Sequence, residues 1–321
     1  MPLQSSGPIS FAQIQSEFGD VDPISLSEYY SLASGLPASG AISLSNFYGK
    51  TFIVYETITS NRTWSPKANN ANFINIYVVG AGGSGGHGWG DNSGFTEGVA
   101  SGSGGGAGGV SISRIAASSA GSSTVTIGAG GPGDRVTGYG STNGNAGGAS
   151  TFVGSGLNMR GNGGGAGQGR HSTSSGNDSV SAPGGVGGTA TGGNTSNLTG
   201  GSGGNAASSG TGFSRSASGG GAPRFLSSHD GDGTNAGNNQ FTAGRKAQDY
   251  STFPAILSTY ITGRNQTAIL NASIDNFDAS NGAAALTGTP TYGAGSGGCC
   301  QLDNTGSGRG GNGVVYIIYE I

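Results

Sequence analysis

The chain has 321 residues, of which 70 are glycine, roughly three times the ~7% usual in globular proteins. Only 9% are charged, 13 basic against 16 acidic for a net charge of −3. Ordinary disorder, which pairs low hydrophobicity with high charge, therefore fits poorly, and no basic patch is expected to meet a nucleic acid. The chain has no run of ~18 apolar residues, so membrane insertion is not expected; MPLQSSGPIS lacks the basic start and apolar core of a signal peptide, so neither is export.

A triplet recurs near the N-terminus: Ile9-Ser10-Phe11, Ile24-Ser25-Leu26 and Ile42-Ser43-Leu44. With each Ser as a helix N-cap, the third helical position is Gln13, Glu28 or Asn46, giving two capping boxes and one near miss. The fourth is Ile14, Tyr29 or Phe47, and each can staple onto the Ile before its cap. Three short helices follow, near 11–18, 26–33 and 44–48, with Gly19, Gly35 and Gly49 just past their ends. Phe11, Ile14, Phe18, Tyr29, Tyr30, Phe47 and Tyr48 are the expected core of this module, residues 1–50. So small a unit buries little by itself. It either folds onto the rest of the chain or docks on a larger assembly, and its self-contained repeat favours docking. Gly49-Lys50-Thr51 ends like a phosphate loop, but the Gly required five residues before Gly49 is Leu44, which rules out nucleotide binding there.

Residues 51–321 read as mainly β. Phe52–Ile58 is rich in β-branched and aromatic residues, and Trp64 and Pro66 fall in a connector. Phe73–Val79 carries bulk on both faces, as a strand covered on both sides should. Gly80-Ala-Gly82-Gly-Ser-Gly85 matches a dinucleotide fingerprint, yet no helical period follows to hold a pyrophosphate, so no cofactor is expected. Val110–Ile115 and Ser123–Ile127 alternate as half-buried strands do, and Phe152 and Val153 suggest another short one. Between there and Phe241 the apolar residues Leu157, Met159, Val180, Val186, Leu198, Phe213, Phe225 and Leu226 look isolated. Val314–Tyr319 is a final strand, expected to share a sheet with Phe73–Val79.

The glycine runs between these two strands have two physical fates. They can stay flexible, or they can order as extended threefold helices, whose N–H and C=O groups must bond to neighbours because such helices make no internal hydrogen bonds. Ordering is the better reading, because over two hundred structureless residues between paired strands would argue against the pairing. The entropy cost of fixing so many glycines suggests help from neighbouring subunits. Residues 245–292 break the pattern: Pro254, Ala255, Ile256, Leu257, Tyr260 and Ile261, then Ile269, Leu270, Ile274 and Phe277, recur at helical spacing. An inserted subdomain packing on the sheet is expected there rather than a contact surface.

Catalytic chemistry is hard to find. His87, His171 and His229 each sit among Gly and Ser, with no nucleophile elbow. His229-Asp230-Gly-Asp232-Gly lacks most of a calcium loop, and no carboxylate pair stands out for glycoside hydrolysis. Cys299 and Cys300 are adjacent and form neither a disulfide framework nor a zinc spacing, consistent with synthesis in a reducing compartment. No enzyme activity, cofactor or metal is expected.

SGPISFAQIQSEFG, PISLSEYY and SGAISLSNFYGK resemble a short module found on many bacteriophage virion proteins, tail fibres among them. FINIYVVGAGGSGG, GGGAGGVSISRI, STVTIGAGGPG and GGNGVVYIIYEI resemble the glycine-rich domain of phage tail-fibre and adhesin proteins; residues 135–300 are similar in composition only. The resemblance implies a small all-helical attachment module followed by a β-sandwich with long, ordered, polyglycine-type loops. In the adhesins of T-even-like phages such loops carry variable tips that touch host receptors. By that analogy Tyr139, His171, Phe213, Phe225 and His229 are candidate receptor contacts. It implies a virion location, assembly in the host cytoplasm, and a tail-fibre or receptor-binding role. The expected partners are other virion proteins, further copies of the chain in a trimer, and a host surface protein or glycan. The alternatives are a capsid decoration or baseplate subunit with no receptor role and, as a further rival, a polysaccharide depolymerase.

Overall fold

The computed structural model describes residues 3–18, 25–29, 37, 39–49, 55–66, 71–89, 99–133, 140–172, 178–210, 214–225, 232–238, 240–241, 292–296, 298 and 307–320. The non-glycine stretch at 245–292, apart from Tyr292, and the pair Cys299-Cys300 lie outside them.

The N-terminal module begins with an α-helix, Phe11–Phe18. Its start is a reciprocal cap: Gln13 Oε1 accepts the Ser10 N–H at 2.8 Å and Ser10 Oγ accepts the Gln13 N–H at 3.3 Å. Leu26–Tyr29 and Leu44–Phe47 are single 3-10 turns. The pairing at Ser43 that reads as a near miss is a complete box, with Asn46 Oδ1 accepting the Ser43 N–H at 2.7 Å. The tighter 3-10 turn lets the shorter Asn side chain reach. Leu3, Ile9, Ile14, Tyr29 and Phe47 form one buried cluster, with Leu26, Ile42, Leu44 and Tyr48 packed against it. Tyr29 meets Phe47 edge to face with ring centroids 5.7 Å apart. Among the described residues this cluster draws on nothing beyond position 48. Phe11 is a correction: it is 44% exposed. Helical side chains lean toward the N-terminus, so one at the first helical position projects past the helix end. The Phe18 side chain and Tyr30 lie outside the described residues.

Two five-stranded sheets make a sandwich. The first runs Tyr55–Ile58, Val314–Glu320, Phe73–Val79, Val110–Ala116, Ser196–Leu198. Val314–Glu320 pairs antiparallel with Phe73–Val79 along its whole length, from Val314 opposite Val79 to Glu320 opposite Phe73. The second sheet runs Ala190–Thr191, Leu157–Gly161, Ser150–Gly154, Ser123–Thr126, Arg62–Trp64. Its central hairpin turns at Ser155 and Gly156, with φ of 53° and 72°, the pair of positive values that a two-residue turn needs to match strand twist. Between the sheets lie Ile58, Trp64, Ile74, Ile76, Val78, Val125, Phe152, Met159, Val315, Ile317 and Tyr319. The opposite face of the first sheet carries Tyr77, Val79, Val110, Ile112, Leu198, Val314, Tyr316 and Ile318, covered by Phe225.

Several apolar residues that look isolated in the sequence are therefore core. Met159 and Leu157 belong to the inter-sheet layer, and Leu198 and Phe225 to the outer one. Trp64 is in a strand, not a connector, and its indole donates to Glu56 Oε1 at 3.2 Å. These strands are three to five residues long, too short for a period-two pattern to stand out.

Beyond the sandwich the glycine runs form an ordered array. The N–H groups of Gly80, Gly83 and Gly86 donate to the carbonyls of Gly109, Gly106 and Ser103 at 2.9, 2.8 and 2.9 Å. Every third donor thus points at the same neighbour, as a threefold helix requires. The donors between them turn elsewhere: Ala81 to Gly148, Ser84 to Asn145 and Gly82 to Gly311. The run 103–109 is surrounded in the same way. Its own N–H groups bond to 162–168, 201–204 and 293–296, and its carbonyls accept from 80–86, 185–188 and Gly221. Six neighbours on one extended chain make a lattice of backbones. A Cβ on Gly82 would lie 1.9 Å from the Ala294 oxygen, and one on Gly104 2.0 Å from the Gly219 oxygen, so no side chain fits between these backbones.

Candidate functional site

The site is the end of the array remote from the sandwich. Most of the described glycine runs that leave the sandwich become short strands there. His87–Trp89 pairs with Gly140–Thr142, placing Trp89 opposite Gly140. Val99–Gly102 lies between Gly169–Ser172 and Ser214–Ala217, so that Val99 is opposite both Ser172 and Ser214. Asp178–Ala182 pairs with Ala206–Gly210, placing Asp178 opposite Gly210. Pairing and the packing of these strands on one another bring together the described ends Trp89, Val99, Gly140, Ser172, Asp178, Gly210 and Ser214, although they are scattered over more than a hundred positions of sequence.

Hydroxyl groups and alanines fix these strands where apolar bulk is missing. Ser216 Oγ sits 3.0 Å from Ser101 Oγ and 2.9 Å from Ser208 Oγ, and Ser208 Oγ donates to the Ala100 carbonyl at 3.1 Å. All three serines are buried, so the network supplies the partners that buried polar groups require. Ala100 and Ala217, with Ala182, Ala206 and Ala236, fill the remaining space. Ser103 Oγ accepts the Gln168 N–H at 2.7 Å and donates to the Pro183 carbonyl at 2.6 Å, tying three runs together just below.

Of the candidate contact residues, His171 is on the strand Gly169–Ser172, opposite Ala100, and is partly exposed. Its neighbour Arg170 is held by Asn143 Oδ1 at 3.2 Å, by the Gly169 carbonyl at 2.8 Å, and by Gln168 Oε1. Phe225 is a correction: it is 7% exposed and packs on the first sheet at the sandwich end, because that face needs an apolar cover. Its ring is not available to a receptor. Tyr139, Phe213 and His229 lie outside the described residues. Buried His87 stands across from Thr142 under the strand ends. Among the described residues no three metal-ligating side chains cluster.

One set of ordering side chains escapes the sequence reading. Asp232, Asn235 and Asn238 each use Oδ1 to accept a backbone N–H, from Ser202 at 2.6 Å, Asn205 at 2.7 Å and Ser209 at 2.7 Å. Asn205 Oδ1 in turn accepts the Gly184 N–H at 2.8 Å. A short amide or carboxylate thus stands in for a lattice carbonyl at the margin of the array. The signal is the three-residue spacing of Asp and Asn in DGTNAGN, which is legible once a threefold helix is assumed.

A family model described as a glycine-rich domain matches residues 57–320. No curated protein matches the chain.

Proposed function

The chain belongs to the glycine-rich domain family, and on that premise we propose that it is a bacteriophage virion protein, a tail fibre or receptor-binding protein that attaches the particle to the host surface. The observation that carries this reading is the gathering of strand ends at one end of the glycine array, far from the sandwich. A backbone lattice with room for no more than a few small side chains is a rigid platform, and recognition placed at its margin tolerates sequence change without disturbing the lattice. The N-terminal module, with its own small core, supplies the link to other virion proteins. Binding is non-covalent, by many weak contacts multiplied by copy number in a homo-oligomer.

The test is competition. Purified protein should block adsorption of the particle that carries it to host cells. Replacing residues 90–98 or 134–139 should abolish the block without preventing incorporation into virions. Removing residues 1–50 should do the reverse. Protein that binds capsids or baseplates but never competes for cells would contradict the receptor-binding role.

A further inference from the structure

One segment belongs to both halves of the domain. Val314–Glu320 lies between Tyr55–Ile58 and Phe73–Val79 and pairs antiparallel with each. Its side chains alternate onto two cores, Val315, Ile317 and Tyr319 on one side and Val314, Tyr316 and Ile318 on the other. Immediately before it, residues 310–313 are threaded through the lattice. Gly310 and Gly313 donate to Gly131 and Gly128, both at 2.9 Å, Gly311 donates to Ala294 at 2.8 Å and accepts from Gly82 at 2.8 Å. Asn312 accepts the Gly293 N–H on its carbonyl at 2.7 Å and the Gly130 N–H on Oδ1 at 2.9 Å. The segment thus joins three glycine runs to two strands, and without it both strands would show a bare hydrogen-bonding edge.

We propose that residues 307–320 are a separable keystone, and that the groove they fill is a binding site for an extended peptide of this chemistry. The groove reads two things. Its strand half takes alternating apolar residues, as in other cases of strand addition. Its lattice half takes only glycine at set positions, since a Cβ on Gly310 would lie 1.9 Å from the Gly82 oxygen. The same segment supplied as a separate molecule takes the place of the covalent one.

The experiment uses the full chain with a specific protease site placed within residues 299–306. The protein is cut after it has folded. The cut segment is expected to stay bound through gel filtration. In urea below the unfolding midpoint, a fluorescent peptide of residues 307–320 should then replace it. The Gly310→Ala peptide, whose strand half is unchanged, should enter more weakly by on the order of tenfold or more. Loss of the cut segment on the column, failure of the wild-type peptide to enter, or equal entry of both peptides overturns the proposal. Hydrogen exchange of the unmodified chain gives a second measurement that needs no inserted site. The amides of Gly310, Gly311 and Gly313 should open in one event with those of Val314–Glu320; two separate openings overturn the keystone.

Discussion

At the scale of single residues, glycine acts here by what it lacks. At Gly82 and Gly104 a methyl group would meet a backbone oxygen at about 2 Å, and a backbone held on all sides cannot step aside. Gly82→Ala or Gly104→Ala should therefore cost on the order of 3 kcal/mol or more in urea unfolding, the upper end of what overpacking does. Val186, on an outer run and 70% exposed, should tolerate Ala within about 0.5 kcal/mol. Equal effects at the two kinds of position would show that the lattice is not close-packed. Glu56 is the other residue that one substitution can probe. Its carboxylate accepts from Tyr319 Oη at 2.8 Å, Trp64 Nε1 at 3.2 Å and Arg62 Nη2 at 2.8 Å. Glu56→Ala strands the buried indole and phenol donors and should cost about 2–3 kcal/mol, read as a shift of the urea midpoint without a change of slope.

At the scale of elements, sequence and structure agree where bulk alternates over a long enough run. Phe73–Val79 has the bounds that the sequence implies, and Val110–Ala116 and Val314–Glu320 extend only one residue further. Their seven residues each give both faces time to show. The second sheet is less legible because its strands contribute at most one or two large inward residues each, such as Val125, Phe152 or Met159. Its existence depends on the first sheet needing a cover. In the glycine runs, composition announces order but not partners. Exposure along Pro183, Val186 and Thr189, or Arg309 and Asn312, recurs every third residue, so GGVGGT and RGGNG do encode which face is outward. What no single run encodes is which neighbour it meets. In the candidate site, His171, a loop-tip candidate by resemblance, lies instead in the strand Gly169–Ser172, and the serine network and the Asp232, Asn235, Asn238 ladder depend on pairings distant in sequence. Ser216→Ala removes the shared partner of Ser101 and Ser208 and should cost about 1–3 kcal/mol. Asn235→Ala, at the exposed margin where water can replace the lost acceptor, should cost no more than about 1 kcal/mol.

At the scale of the whole molecule, the domain is a small apolar sandwich continued by a large hydrogen-bonded solid. Unfolding exposes much peptide and little hydrocarbon, and polar exposure lowers the heat-capacity change while apolar exposure raises it. Calorimetry should give a value per residue below the ~12–15 cal/mol/K of ordinary globular proteins. The central claim is that the glycine runs are ordered by each other's backbones. Amide hydrogen exchange of residues 80–86 and 103–109 in the intact protein tests it most directly. Protection equal to that of Val314–Glu320 is the predicted result, and exchange at the rate of a free glycine peptide would contradict it.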